Sequence, residues 1–186
     1  MRKLTTLLIL AILISSCSDN LTNSKAEDII SDCLESNPKV GKTNFRTGEI
    51  RFYTEKDNQI ELLNKYKNIA EEGLITLDSV KSSKRYKHTT YNVSFTDKAK
   101  EYVLETDKKN MFGRNSNTSV IRTYDYEVDE VKEVHEIPSM NSAEVTIIYK
   151  KENKTPFSDF EKDKSDFITK KIGFRKTTSD GWKYCE

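Results

Sequence analysis

The spacing of apolar residues along this chain changes from a helical repeat to a strand repeat. Two stretches, residues 26–35 and 58–72, place apolar side chains at every third or fourth position. This spacing predicts two amphipathic helices, the first capped by Ser24 and the second ending at Gly73. Between them, residues 44–53 alternate with a period of two, which predicts a strand or a hairpin.

Alternation dominates from residue 119 onward. Four apolar residues are predicted to share one face of a strand: Val120, Tyr124, Tyr126 and Val128. Three further strands are predicted over residues 143–151, 167–177 and 182–185. The turn residues between these stretches are typical of an antiparallel meander of about three to five strands.

These patterns predict an α+β fold with one domain over residues 26–186. Its first part, residues 26–107, is predicted to contain helices and a wing-like hairpin. Its second part, residues 118–186, is predicted to be an antiparallel sheet. The charged residues, which make up 33% of the chain, indicate a heavily solvated surface around a small core.

The first seventeen residues follow a different pattern. Two basic residues precede an apolar stretch over residues 4–14, which is about half the length needed to span a bilayer. The stretch closes with the tetrapeptide Ile14-Ser15-Ser16-Cys17, which resembles the lipobox of bacterial lipoproteins. The resemblance implies that residues 1–17 are a signal segment, cleaved before Cys17, and that lipid is attached to the Cys17 thiol. Residues 18–25 are polar and predict a tether.

The lipobox resemblance implies a membrane partner, reached through the lipid on Cys17. It places the domain in the cell envelope, in the periplasm or at the cell surface, with the outer membrane favoured over the inner. An acidic residue shortly after Cys17 resembles the export signal of surface lipoproteins of Bacteroidetes. Residues 18–186 carry 29 basic and 30 acidic side chains, a formal charge of −1. This balance argues against nucleic acid as a partner.

Two cysteines remain, Cys33 near the start of the domain and Cys185 at the penultimate position. Disulfides persist in exported domains, so we predict that the two are bonded. The bond would close a loop of about 150 residues, for which the chain-entropy model gives about 5 kcal/mol of stabilisation. The alternative is two separate buried thiols.

Residues 60–103 resemble the second half of winged-helix domains. A helix ends in Gly73-Leu74-Ile75, two strand-like stretches follow, and a turn around Thr96 opens a short helix. The resemblance implies that residues 74–95 form a wing-like hairpin. The chain departs from the family at Ala99, where the family has glycine, and residues 45–53 form a strand pattern where the family has a helix. Residues 81–88 carry four basic residues at the predicted wing tip, but the exported location leaves no nucleic acid to contact.

Candidate chemistry is sparse in the sequence. Asp125, Glu127 and Asp129 are predicted to lie on one strand face at steps of about 6–7 Å. They could bind Ca²⁺ or act as an acid and base, and a solvated sheet face explains them as well. His88 and His135 stand alone and are predicted to be surface residues. No metal-ligand spacing and no nucleophile motif is present, so we predict no cofactor.

Aromatic residues concentrate in the second half of the chain, where they either fill the core or form an exposed binding patch. We favour a core role for most of them. The prediction for function is a membrane-tethered, non-enzymatic binding or accessory protein of the cell envelope, with an unidentified protein partner. The alternative is an envelope enzyme, or a glycan- or metal-binding protein, that uses the Asp125, Glu127 and Asp129 face.

Overall fold

The computed structural model of the protein describes residues 20–107 and 116–185. The signal segment and Cys17 lie outside the described residues. The fold is α+β and mostly sheet, and its described residues include two α-helices, α1 (Asn23–Ser36) and α2 (Asp57–Glu71). Among the described residues the strands are β1 (Val40–Tyr53), β2 (Ile75–Ser83), β3 (His88–Phe95), β4 (Val103–Asp107), β5 (Ser116–Ile137), β6 (Ser142–Glu152), β7 (Phe167–Thr177) and β8 (Gly181–Lys183).

One antiparallel sheet of eight strands runs through both predicted parts of the domain. Its order is β2-β3-β1-β5-β6-β7-β8, with β4 paired to β5. The long strand β5 pairs with β1 through its first half and with β6 through its second half. The second part contributes four strands, β5 to β8, within the three to five predicted for it, and the sheet is larger because β1 to β4 of the first part join it. The predicted boundary between the two parts, at residues 107–118, does not divide the sheet. Strands β1 and β4 of the first part pair with β5 of the second.

Three register shifts keep the apolar side chains of β5 from Ile121 to Val134 on one face of the sheet. They fall at Thr123, Asp129 and Lys132, where one extra residue of β5 is left unpaired. Each extra residue reverses the alternation, so the apolar positions continue on the same face. The prediction that Val120 shares a face with Tyr124 is wrong, because the shift at Thr123 lies between them. Tyr124 instead covers Gly41, where an added Cβ would lie 2.3 Å from its ring.

The covered face of the sheet holds two apolar clusters. In the first, α2 and a 3₁₀ helix at Pro156–Phe160 pack around Phe45, whose ring centroid lies 4.8 Å from Tyr66 and 5.2 Å from Phe157. In the second, α1 covers β5 to β8, and its members include Ile30, Val145, Ile147, Tyr149, Phe174 and Trp182. Most aromatic residues of the second half therefore fill the core, as predicted.

Helix α1 starts earlier than the sequence pattern indicated. Its N-cap is Thr22 rather than Ser24, and the Thr22 hydroxyl accepts a hydrogen bond from the Lys25 amide at 3.2 Å. Leu21 is buried in the second cluster, and its amide donates to Glu136 at 2.5 Å. The tether predicted over residues 18–25 is therefore too long, since residues from Leu21 onward belong to the folded part.

The disulfide predicted between Cys33 and Cys185 is present, with a Cα–Cα distance of 5.8 Å. Cys33 lies on the buried face of α1, as the helical spacing predicted. The bond joins the first helix to the end of the chain. It therefore fixes α1 against the β7–β8 end of the sheet.

Candidate functional site

One of the three predicted acidic residues, Asp125, is held in an ion pair. The Asp125 carboxylate accepts two hydrogen bonds from Arg122, at 3.1 and 2.7 Å, and a third from Asn153 at 3.0 Å. Glu127 is exposed and lies opposite Lys150, while Asp129 falls at a register shift. Within the described residues, no group of three or more His, Cys, Asp or Glu side chains is arranged to hold a metal ion. Asp125 therefore has a structural partner in Arg122.

The sequence analysis offered an exposed aromatic patch as a possible binding surface. No such patch lies on the described C-terminal strands. Tyr124, Tyr149 and Trp182 are buried, and Tyr126 and Tyr184 are half-buried. Phe167 is 47% exposed but has no exposed tyrosine or tryptophan beside it in residues 120–185. The described strands β5 to β8 therefore present no cluster of exposed aromatic side chains with which to bind a ligand.

The two histidines differ in their surroundings. His135 is exposed, as predicted, but His88 is only 7% exposed, so the prediction of a surface residue is wrong for His88. Its ring centroid lies 5.8 Å from that of Tyr53 and 6.3 Å from that of Tyr86. These two rings shield it from solvent. The His88 Nδ1 atom is buried and has no hydrogen-bond partner among the described residues.

His88 lines a cleft of about 400 Å³ that we call the hairpin cleft. Its lining residues come from β1, β2, β3 and the turn between β2 and β3: Arg51, Tyr53, Lys81, Ser83, Tyr86, His88 and Thr90. The cleft lies on the face of the sheet opposite the helices. In β3, Tyr91 and Val93 pack in the first cluster, so His88 and Thr90 point away from it.

Strand pairing arranges the hairpin cleft in two rows of three residues. One row is Arg51, Thr90 and Lys81, and the other is Tyr53, His88 and Ser83. Residues directly opposite each other in neighbouring strands share a face of the sheet, so each row projects to the same side. The first row places two cationic side chains on either side of a hydroxyl.

A bulge in β2 turns Lys81 toward the cleft. The register with β3 shifts between Ser79 and Lys81, which leaves Val80 as the extra residue. Without that residue, Lys81 would point to the same side as Leu77, which packs against the first cluster. Bulges that redirect a side chain are common next to functional sites. The sequence pattern did not reveal this one, since Val80 fits a regular strand.

Two further cations lie beside aromatic residues of the hairpin cleft. Lys56 lies 4.8 Å from the centre of the Tyr53 ring, and the Arg85 guanidinium lies 5.5 Å from that of Tyr86. Neither Arg51 nor Lys81 has a carboxylate within 4.0 Å in the described part of the chain. The two cations of the cleft are therefore uncompensated by an ion pair.

A second buried basic residue, Lys151, lies between the two apolar clusters. Its side chain is 4% exposed, and its Nζ donates to the Asp163 carbonyl at 2.9 Å and lies 3.7 Å from the Glu161 carboxylate. The Tyr124 ring covers it, with Nζ 5.0 Å from the ring centre. The Thr123 hydroxyl donates to the other Glu161 oxygen at 2.5 Å. We call this group the polar junction.

Sequence reasoning missed the polar junction although β6 carries a signal for it. Val145, Ile147 and Tyr149 were predicted to share a face, and the same alternation places Lys151 on that face. The partner segment, residues 153–166, gave no regular pattern. It is bound to β5 by a hydrogen bond of 2.9 Å from the Thr155 hydroxyl to the Arg122 carbonyl.

Burial also changes the ionisation of three tyrosines on the covered face. Desolvation raises the pKa of Tyr66 to about 12, although its hydroxyl donates to the Arg46 carbonyl at 2.9 Å. Burial likewise raises the pKa of Tyr124 and that of Tyr149. All three phenols stay protonated at neutral pH, so none is activated as a base or nucleophile there.

Comparison with protein-family models, with curated proteins and with solved structures found no match for this chain. Within residues 20–107 and 116–185, none of the helices combines the length and the apolar character needed to cross a membrane.

Proposed function

We propose that this protein is an exported lipoprotein that acts as a non-enzymatic binding or accessory protein of the cell envelope. The observation that carries the proposal is the Cys33–Cys185 disulfide. Such bonds persist in exported proteins and are rare in the cytosol. The segment ending in Ile14-Ser15-Ser16-Cys17 supports the same location from the sequence.

In this proposal the membrane partner is reached through lipid on Cys17, with the outer membrane favoured over the inner. Two or more acyl chains on one cysteine suffice for stable anchoring, whereas one does not. Leu21, the first buried residue described, is only four residues from Cys17. An extended chain covers at most about 3.6 Å per residue, so the fold would lie within about 14 Å of the lipidated residue.

The wing-like hairpin is the binding element in this proposal, and its partner is not nucleic acid. Strands β2 and β3 follow α2 in the order that the winged-helix resemblance implied, and their pairing with β1 creates the hairpin cleft. The face of Asp125, Glu127 and Asp129 is not the binding element in this proposal, since Arg122 holds the Asp125 carboxylate.

The anchor and the partner are tested together with tagged full-length protein and its Cys17→Ala variant. Wild-type protein is expected to incorporate radioactive palmitate and to pellet with membranes, and Cys17→Ala is expected to do neither. Crosslinking in native membranes is then expected to recover a stoichiometric partner from the wild type only. The double variant Cys33→Ser/Cys185→Ser is the matched control, because it removes two cysteines and keeps the lipidated one. Equal pelleting of wild type and Cys17→Ala would overturn the anchor.

A further inference from the structure

We propose that the hairpin cleft binds a phosphate group carried by a small molecule. This inference rests on the proposed binding function, to which it adds a ligand, and it does not depend on the lipid anchor. The cleft has a volume of about 400 Å³, within the range of small-molecule sites. Its polar lining is cationic and hydroxylic, which is the lining that an oxyanion requires.

The row formed by Arg51, Thr90 and Lys81 supplies the charge. Neighbouring strands lie about 4.8 Å apart, so the backbones of Arg51 and Lys81 are about 10 Å apart on either side of Thr90. Both side chains are long enough to reach a ligand held over Thr90. A guanidinium binds two phosphate oxygens at once, an ammonium adds a point charge, and a hydroxyl donates a third contact.

The carboxylates of the next row along these strands form no ion pair with this row. Glu49, Asn92 and Asp78 form the next row along the same strands, on the side away from His88. Neither carboxylate is within the 4.0 Å ion-pair distance of Arg51 or Lys81. Two like charges therefore face each other across Thr90, and a bound dianion would relieve that repulsion.

The second row provides the walls of the cleft and an unsatisfied polar group. Tyr53 and Tyr86 lie beside His88 and line the cleft, where they add aromatic surface for the organic part of a ligand. The buried Nδ1 of His88 has no hydrogen-bond partner among the described residues. Buried polar atoms without a partner are few in folded proteins, and each needs an explanation such as a functional role or a bound ion.

The experiment uses the protein purified from membranes in detergent, titrated by calorimetry with three probes. Inorganic phosphate tests the anion alone, glucose 6-phosphate tests a sugar carrier, and dihexanoyl phosphatidic acid below its micelle concentration tests a lipid carrier. Glucose is the uncharged comparison. We expect at least one of the phosphate probes to bind at a single site and glucose not to bind. The carrier that binds more tightly identifies the source of the phosphate.

Three variants locate the binding. Arg51→Gln and Lys81→Gln are each expected to weaken phosphate binding by about tenfold or more, because each removes a charge-assisted hydrogen bond. Lys84→Gln is the matched control. Lys84 lies in the turn between β2 and β3, is exposed and does not line the cleft. Its affinity is expected to stay within about twofold of wild type. Absence of binding by all three probes would overturn the proposal, and so would equal weakening by all three variants. Neither result would change the proposal that the anchored protein binds a protein partner, which the crosslinking experiment tests separately.

Discussion

Two regions of the sheet bury a basic side chain, and they differ in whether the chain supplies its polar partners. In the polar junction, the Lys151 ammonium has a carbonyl at 2.9 Å, a carboxylate at 3.7 Å and an aromatic ring over it. In the hairpin cleft, His88 has a buried nitrogen without a partner, and the neighbouring Arg51 and Lys81 have no ion pair. The first region is electrostatically complete within the described chain, and the second is not.

The difference separates a structural role from a binding role. A buried charge whose partners are all supplied by the chain holds those partners in place, and removing it leaves them unpaired. The polar junction in this way ties residues 153–166 to β5 and β6. Cationic side chains left unpaired in a cleft attract a ligand that the chain does not supply. Stability measurements should therefore respond to the first region, and ligand binding to the second.

The largest effect is expected for Lys151→Ala. The substitution leaves the Glu161 carboxylate half-buried without its cation and opens a cavity beneath Tyr124. Removal of one member of a buried pair costs about 3–5 kcal/mol of unfolding free energy. Urea denaturation of wild type and variant measures the change.

Lys150→Ala is the matched control for that prediction. Lys150 is the preceding residue of the same strand, but its side chain is 47% exposed and its ion pair with Glu152 lies at the surface. Exposed pairs contribute about 0–1 kcal/mol. A loss at Lys151 no greater than that at Lys150 would show that the polar junction is not structural.

A smaller change in unfolding free energy is expected from the ionisation of Tyr66. Like the Lys151 ammonium, the Tyr66 hydroxyl has its hydrogen-bond partner within the chain. Its pKa is about 12 in the fold and about 10 in an unfolded chain, so the folded state holds the proton more tightly. The stabilisation is complete below pH 10 and is lost as the pH rises toward 12, by about 2–3 kcal/mol. Urea unfolding midpoints measured between pH 9 and pH 12 test the slope.

Tyr66→Phe removes the titrating group and is expected to flatten that pH dependence. Some slope should remain, because burial also raises the pKa of Tyr124 and of Tyr149. An unchanged slope in Tyr66→Phe would mean that the Tyr66 phenol is accessible to solvent in solution. At neutral pH the variant should lose about 1 kcal/mol, the contribution of its hydrogen bond to the Arg46 carbonyl.

The sequence was sufficient to predict features that depend on local periodicity. The second helix, the strand over residues 143–151 and the inward position of Cys33 all followed from apolar spacing. The disulfide followed from the number of cysteines and the expected location. These features depend on residues close together in the chain, where the pattern is direct.

Features that depend on register were out of reach. The pairing of β1 with β5 joins the two predicted parts, and no local pattern encodes it. The bulges at Thr123 and Val80 each reverse the alternation, which misplaced Val120 and concealed the position of Lys81. The burial of His88 could not be predicted from the sequence, because Tyr53 reaches it only through the pairing of β1 with β3. The candidate site therefore emerged from pairing rather than from a motif.

The smallest effect on stability is expected for His88→Leu. The substitution places an apolar side chain of similar size beside Tyr53 and Tyr86 and removes the buried nitrogen that has no partner among the described residues. Replacing an unsatisfied polar group by an apolar one of similar size is close to neutral or stabilising, so the change should stay within about 1 kcal/mol. Urea denaturation beside Lys151→Ala provides the direct contrast. A loss as large as that of Lys151→Ala would mean that His88 is satisfied in solution, and the distinction between the polar junction and the hairpin cleft would fail.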